Sequence, residues 1–356
     1  MSKDDDDLSP SREMSLAEMR KDPRLVPYGE SNLGMPLELV DGLLVPNESF
    51  FVRSNASTPL IDPRCWRLRV SGLVAREVTL ALADLRRMPV RRVTAFLECA
   101  GNSRSRFVRT AEGTPWANDA VGNAVWEGTP LAGVLALTGV APGAVEVVAT
   151  GGDEPAMRRA LPLAIAQDPE TLLVWGMNGA ELPVPHGGPV RLFVPGWAGI
   201  ASTKWLAGLE VLDRVFDGPY NTVSYVIRDA AGRGLRPVRE MPVKSLISQP
   251  VDGSRLTAGA RLISGYAWSG EGAVTRVDVS VDGGVSWAEA ALVAEAGRRS
   301  WVRFELPWEA RPGVAQLRSR ATDERGLTQP DEVAWNARGY LMNAVHEVNV
   351  EVSEEP

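Results

Sequence analysis

Three prolines, Pro237, Pro242 and Pro250, punctuate the stretch LRPVREMPVKSLISQP and divide the chain into two regimes. Proline has no backbone donor and a fixed φ, so a cluster of them resists both helix and sheet and has the composition of a linker. Beyond the last of them the chain reads as strand throughout. Val277, Val279 and Val281 alternate with Asp278, Ser280 and Asp282, and Asp282-Gly283-Gly284 then supplies a hairpin turn leading to Trp287. WVRFEL, AQLRSRAT, EVAWNARG and AVHEVNVEV read as further strands, with no convincing helix among them. Short antiparallel strands at this spacing predict an all-β, immunoglobulin-like sandwich over residues 241–356. A chain of 356 residues exceeds what one core usually organises, so a separate domain before the linker is expected.

That earlier part is mixed α/β, making the whole chain α+β. Trp66, Leu68 and Val70 alternate with Arg67, Arg69 and Ser71, a half-buried strand ending at Gly72. Thr79 is placed to cap a short helix in LALADLRRM, which Pro89 stops. Leu131, Val134 and Leu135 carry a helical apolar pattern, and residues 144–212 alternate apolar strands with loops rich in Gly and Pro. This domain is expected over 31–240. Residues 1–30 read as a polar tail with one short helix, Ser15 to Lys21, ended by Pro23, and no chemistry is assigned to them.

Hydrophobic residues make up 44% and charged residues 23%, and no run approaches the length of a membrane span. The beginning, MSKDDDDLSPSREM, is acidic with no apolar core, which predicts a cytoplasmic protein as written, or a periplasmic one from which a leader has been removed. A formal charge of −7 argues against a nucleic-acid partner but not against a small anion, which needs only a locally positive cleft. The two cysteines, Cys65 and Cys99, form neither a CxxC pair nor a haem-attachment motif. Cys65 is expected to be buried. A Cys65–Cys99 disulfide is left open by the sequence.

The stretch VTAFLECAGNSRSRF carries the chemistry. Val93, Ala95, Leu97 and Cys99 alternate with Thr94, Phe96 and Glu98, as in a strand, and Gly101-Asn102 then supplies a turn pair. Cys99 therefore ends a strand, with Arg104 and Arg106 on the loop just after it. Cysteine is usually a packed hydrophobe, yet guanidinium groups nearby favour the thiolate, which is both nucleophile and soft metal ligand.

FLECAGNSR resembles the cysteine loop of the sulfite oxidase family, molybdenum enzymes in which this cysteine ligates the metal, and other motifs match in the same order along nearly the whole chain. The resemblance implies a molybdopterin-binding domain of the sulfite oxidase fold, followed by a sandwich that packs on it and contributes to a homodimer. It assigns Cys99 as metal ligand beside the dithiolene of a molybdenum–molybdopterin cofactor, and makes the disulfide to Cys65 an unlikely pairing. In FFVRSN, the segment holding Phe51, Val52, Arg53 and Asn55, the arginine is implied to reach the metal site and contact an oxyanion. Trp116, in GTPW, matches a tryptophan of the substrate pocket, although a single Trp is more often core. Asp153, His186, Arg191, Ser202, Thr203 and Lys204 fall where the family contacts its pterin: cations and hydroxyls suit a phosphate, and a carboxylate suits the pterin's amino edges.

The implied reaction passes an oxo group to a sulfur lone pair, sulfite becoming sulfate, with Arg53 and Arg104 attracting and orienting the anion. No haem domain is read in the chain, so a separate acceptor protein, such as a cytochrome, is expected to take the electrons. Three positions depart from the family pattern. Asn55 stands in place of a histidine, Met157 in place of an active-site tyrosine, and a pocket arginine is missing near Gly272, with Arg158 available to restore the charge. The alternatives are a sulfur dehydrogenase, a sulfoxide reductase running the transfer in reverse, and a metal-free binding protein on the same scaffold.

Overall fold

A computed structural model describes residues 12–294 and 297–354, so the acidic run at the start of the chain lies outside the described residues. The first part of the chain builds two five-stranded sheets. One runs Ala180–Glu181, Leu172–Met177, Val121–Pro130, Arg91–Glu98, all antiparallel, with Arg191–Phe193 also paired to Leu172–Met177. The other runs Val78–Ala81, Arg67–Gly72, Leu206–Leu212, Glu146–Gly151, Arg158–Pro162, and its one parallel pair joins Arg67–Gly72 to Leu206–Leu212. Leu68, Val70 and Leu209 of the second sheet pack in one core with Leu173 and Leu192 of the first.

Arg67 and Arg69 point outward as alternation requires. Strand Arg91–Glu98 is buried on both faces toward its end. Phe96 and Glu98 are buried along with Val93, Ala95 and Leu97, because the C-terminal domain covers that side: Phe96 shares a core with Leu246, Tyr266, Trp268 and Trp301. Val121–Pro130 is a strand that the turn-rich sequence around it conceals, and helix Leu131–Thr138 follows it directly. The helix expected to start from Thr79 is shorter, Leu82–Arg87. Thr79 lies in the preceding strand, and the Asp84 carboxylate accepts the Ala81 N–H in the capping role.

The C-terminal domain is a sandwich of two sheets, one ordered Lys244–Gln249, Gly259–Trp268, Val302–Ala310, Ala291–Ala294 and the other Arg255–Thr257, His346–Ser353, Gly313–Asp323, Val274–Ser280, Ala288–Glu289. Gly283 and Gly284 take φ of 74° and 97°, which the hairpin before Trp287 requires. Two expectations need correction. The proline-rich stretch is not all linker, since its second half enters the sandwich as strand Lys244–Gln249. EVAWNARG is not a strand but the start of a loop that returns to the first domain. Along it Glu112 N–H donates to Ala337 O (3.1 Å), Trp335 Nε1–H to Arg109 O (3.1 Å) and Leu341 N–H to Ala100 O (2.9 Å).

Residues 12–30 are no free tail. Met14 N–H donates to Thr58 O (2.9 Å), Met19 and Leu25 are buried, and Val26–Tyr28 pairs with Asn32–Gly34. Cys65 is exposed and Cys99 buried, and both are free thiols. Among the described residues no helix is long and apolar enough to cross a membrane.

Candidate active site

Cys99 follows the last residue of strand Arg91–Glu98. Its N–H donates to Ala120 O (2.9 Å) and its carbonyl accepts Asn102 N–H (2.9 Å), closing a tight turn. The left-handed residue of that turn is Ser103 (φ 65°), not Gly101 or Asn102. Gly101 is needed for space instead: a Cβ there would lie 2.2 Å from Arg104 Nη2. Gly339 crowds the same side chain, its Cβ position falling 2.7 Å from Arg104 Cγ. Asn102 pegs the turn from inside, donating to Glu98 Oε1 (2.8 Å) and accepting Ala120 N–H (3.0 Å).

Arg104 is buried and bonds only carbonyls. Nε donates to Arg338 O (2.7 Å), Nη1 donates to Thr114 O, and the guanidinium lies 5.6 Å from the centre of the Tyr340 ring. Burial draws it below its ordinary pKa, while Cys99 pulls it back up. Arg106 turns the other way, donating to Ala344 O (3.2 Å) and Val345 O (2.8 Å), so the pair of cations read beside the cysteine is one cation.

A cavity of about 680 Å³, its open mouth included, lies against Cys99. Phe51, Arg53, Asn55, Asp153, His186, Arg191, Ser202 and Lys204 line it with the cysteine, carried in from element ends that belong to both sheets and to the segment before them. Val52 and Thr203 are buried beside these residues without lining it. Trp116 does not line it either. The indole is fully buried with its centre 4.6 Å from that of Tyr28, a core placement.

Among the described residues, the cations of the cavity bond only to neutral oxygens. Arg53 donates to Asn32 Oδ1 (3.1 Å), Asn55 Oδ1 (2.5 Å) and Ser54 O. Arg191 donates to His186 O and Ser202 O, both 2.8 Å, and burial draws it down to about 9. Lys204 donates to Ser54 Oγ (2.8 Å) and Pro185 O (3.0 Å), over the Trp205 ring, and burial holds it well below the ordinary lysine value. Thr203 Oγ1 is buried without a partner among the described residues. Asp153 accepts Met157 N–H (3.1 Å), with burial raising its carboxyl and Lys204 opposing that. Desolvated cations without carboxylate partners are costly, and an anionic group arriving among them would repair the deficit. The donor set therefore fits a phosphate-bearing cofactor.

The cavity also holds a phenol that the sequence did not disclose. Tyr225 lines it, its OH 3.4 Å from Asn55 Oδ1 and its ring stacked on Tyr340 at 5.2 Å and 11°. Burial pushes the phenol up to about 12 against the pull of Arg53. Tyr225 and its fellow lining residue Trp205 both hold left-handed backbones (φ 52° and 49°), a conformation that non-glycine residues adopt at a cost. Met157 lines the cavity too, so the side chain expected to be lost at that position is supplied from elsewhere. Position 272 has no bearing on the cavity, since it packs against Glu324. Arg338 does not line the cavity: its carbonyl accepts from Arg104 Nε, and its side chain pairs with Glu112 at 3.2 Å. Arg158 points away as well, to Glu210 at 2.6 Å.

A cysteine beside a cationic cavity that suits a phosphate, with a strand sandwich behind it, is the arrangement a molybdopterin-binding domain requires. The family model of the oxidoreductase molybdopterin binding domain matches residues 55–220, and that of the Mo-co oxidoreductase dimerisation domain matches 236–353, which supports a dimer. The chain belongs to the sulfite oxidase family. It is 38% identical to mitochondrial sulfite oxidase of Mus musculus over 346 residues, covering 89% of this chain and 63% of that one. It is also 38% identical to sulfite oxidase of Gallus gallus, covering 88% of this chain and 75% of that one. Among solved structures it superposes on the sulfane dehydrogenase SoxCD from Paracoccus pantotrophus with a TM-score of 0.84 at 30% identity, covering 92% of this chain and 88% of that one. The chain thus spans less than two thirds of the length of its mouse relative.

Proposed function

We propose that this cavity oxidises a small sulfur oxyanion, sulfite above all. The observation that carries the reading is the placement of Cys99 against a cavity whose cations have only neutral partners. Lys204, Arg191 and Ser202, with Thr203 behind them, would hold the phosphate end of a molybdopterin, Asp153 its amino edge, and Cys99 would ligate the metal. Bound, that cofactor supplies oxygen-atom transfer coupled to a two-electron change. Arg53 draws in the oxyanion, and Arg104 adds fixed positive potential from behind the cysteine turn. Tyr225 keeps its proton, and by turning its O–H from Asn55 to the bound anion it would donate a hydrogen bond that orients the anion without changing its charge. In balance, sulfite and water become sulfate, two protons and two electrons, and the electrons pass to a separate acceptor protein. The test is molybdenum per chain together with sulfite-dependent bleaching of ferricyanide. Metal near one per chain with turnover supports the reading, and metal without turnover on sulfite removes it.

Asn55 favours a second reading. It replaces a histidine and accepts bonds from both Arg53 and Tyr225, so the anion site is less cationic than a sulfite site of the usual pattern. A sulfur dehydrogenase acting on a sulfane sulfur fits that change, as does the structural likeness to a sulfane dehydrogenase. Thiosulfate-type substrates tested in the same assay separate the two.

A further inference from the structure

Lys21 lies well before the region that the molybdopterin-domain model covers, yet its Nζ sits 3.0 Å from Nε2 of His186, a lining residue of the cavity. Both groups also approach the carbonyl of Asn47, to which the ammonium donates. The imidazole is buried, its centre 5.4 Å from that of Phe50 in an edge-on contact. Burial keeps it neutral, a preference reinforced by Lys21, Lys204 and Arg191. A neutral imidazole has one donor and one acceptor nitrogen, and an ammonium can only donate. Nε2 lies closer to the Lys21 ammonium (3.0 Å) than to Asn47 O (3.3 Å), which the ammonium already occupies, so it serves as acceptor and the hydrogen is left on Nδ1.

We propose that Lys21 is a positioning residue for the cofactor cavity: by occupying Nε2 of His186 it fixes the tautomer in which Nδ1–H is offered as a hydrogen-bond donor to an anionic cofactor group. Nδ1 has no protein partner among the described residues, consistent with its being the nitrogen left for the cavity. Without the lysine the preference reverses, because Nε2–H could donate to Asn47 O and Nδ1 would then present a lone pair to an oxygen-rich ligand. The carboxylates nearest Lys21 are Glu48 and Asp22, and Asp22 is already held by Arg24 (2.6 Å) and Ser49 (3.1 Å). Burial draws Lys21 down to about 7, so it is charged in mildly acidic buffer.

The inference rests on this cavity being the cofactor site, but its test does not need turnover. The chain has only two histidines. The second, His346, accepts the fixed Ile247 N–H at Nδ1 (3.0 Å), which puts its hydrogen on Nε2 and requires the Asn118 amide beside it (3.1 Å) to turn its oxygen toward the ring. A long-range ¹H–¹⁵N spectrum of histidine-labelled protein at pH 6, recorded as purified, should therefore show two opposite tautomers. In Lys21→Met the His186 pattern should switch to Nε2–H while His346 stays as the internal control, and molybdenum should leave on dialysis about tenfold faster. Two Nε2–H patterns in the unmutated protein overturn the proposal, as does a His186 that keeps Nδ1–H in Lys21→Met. If that variant does not fold, the unmutated spectrum alone decides. A protein that proves unable to oxidise sulfite would leave the tautomer result standing, so the two readings fail separately.

Discussion

Lys244, in the first strand of the sandwich, places its ammonium 3.1 Å from the carboxylate of Glu98, the residue that precedes Cys99, with both side chains shut off from solvent. Trp268 Nε1–H donates to the other oxygen (2.7 Å), and Lys244 also donates to Ser103 Oγ (2.8 Å) in the cysteine turn. Burial lowers the lysine's pKa and Glu98 pulls it partly back. Two domains thus share one desolvated ion pair directly behind the candidate metal ligand.

Breaking that pair on one side strands a buried charge, at a cost of about 3–5 kcal/mol. Lys244→Met should lower the urea midpoint accordingly, and Glu98→Gln added to it should recover part of the loss. A single-variant shift below about 1 kcal/mol would show that the pair is solvated.

Cys99→Ser should keep a folded chain, since the turn is held by backbone bonds and by Asn102. Turnover should drop about 100-fold or more, at least the loss seen when a mere supporting group of a metal ligand is removed. Retained full activity, measured with molybdenum per chain, would take the cysteine out of the metal's coordination.

Arg53→Ala should act on substrate affinity. A charge-assisted bond is worth about 1.5–3 kcal/mol, hence about a 10- to 100-fold rise in KM for an anionic substrate, with a smaller change for a neutral one. The salt dependence of KM should weaken in the variant. An unchanged KM removes this arginine from the pocket.

Burial raises four of the five tyrosines. Tyr28, Tyr225 and Tyr266 are pushed up to about 12, and Tyr340 upward as well. Each folded phenol then binds its proton at pH values where the unfolded one has released it, so stability falls as pH climbs above about 10. Absorbance titration of the native protein up to about pH 11 should therefore release far less than five phenolates, with the remainder appearing on denaturation. The Tyr225→Phe variant should leave the signal in that range unchanged. A full native titration near pH 10 would mean that the pocket phenol is open to solvent and ionisable.

The cysteine loop, FFVRSN and the run from Asp153 to Lys204 were legible because each motif is contiguous and its spacing survives folding. The β-sandwich was legible for a similar reason, as alternation reports a two-faced strand wherever one face meets a core. What escaped is what distant packing decides. Lys21 meets His186 across 165 residues and Lys244 meets Glu98 across 146, and nothing local marks either lysine as buried. Tyr225 sits in a loop of ordinary composition, and its place in the cavity comes from a backbone twist that no periodicity encodes. The burial of Glu98 was not legible either, because the domain covering it comes much later in the chain. Met157 was read as a loss because a linear pattern cannot show that Tyr225 brings a phenol to the same cavity, and Gly272 because it cannot show that this position packs against Glu324 instead.

The loop that carries Arg338 and Leu341 back to Arg104 and Ala100 also sets an order of manufacture. On the ribosome, the cysteine turn emerges long before the residues that brace it, so its shape stays provisional until that later loop has been made. Until then the wall that Arg104 forms behind the cysteine lacks the partner that holds its Nε.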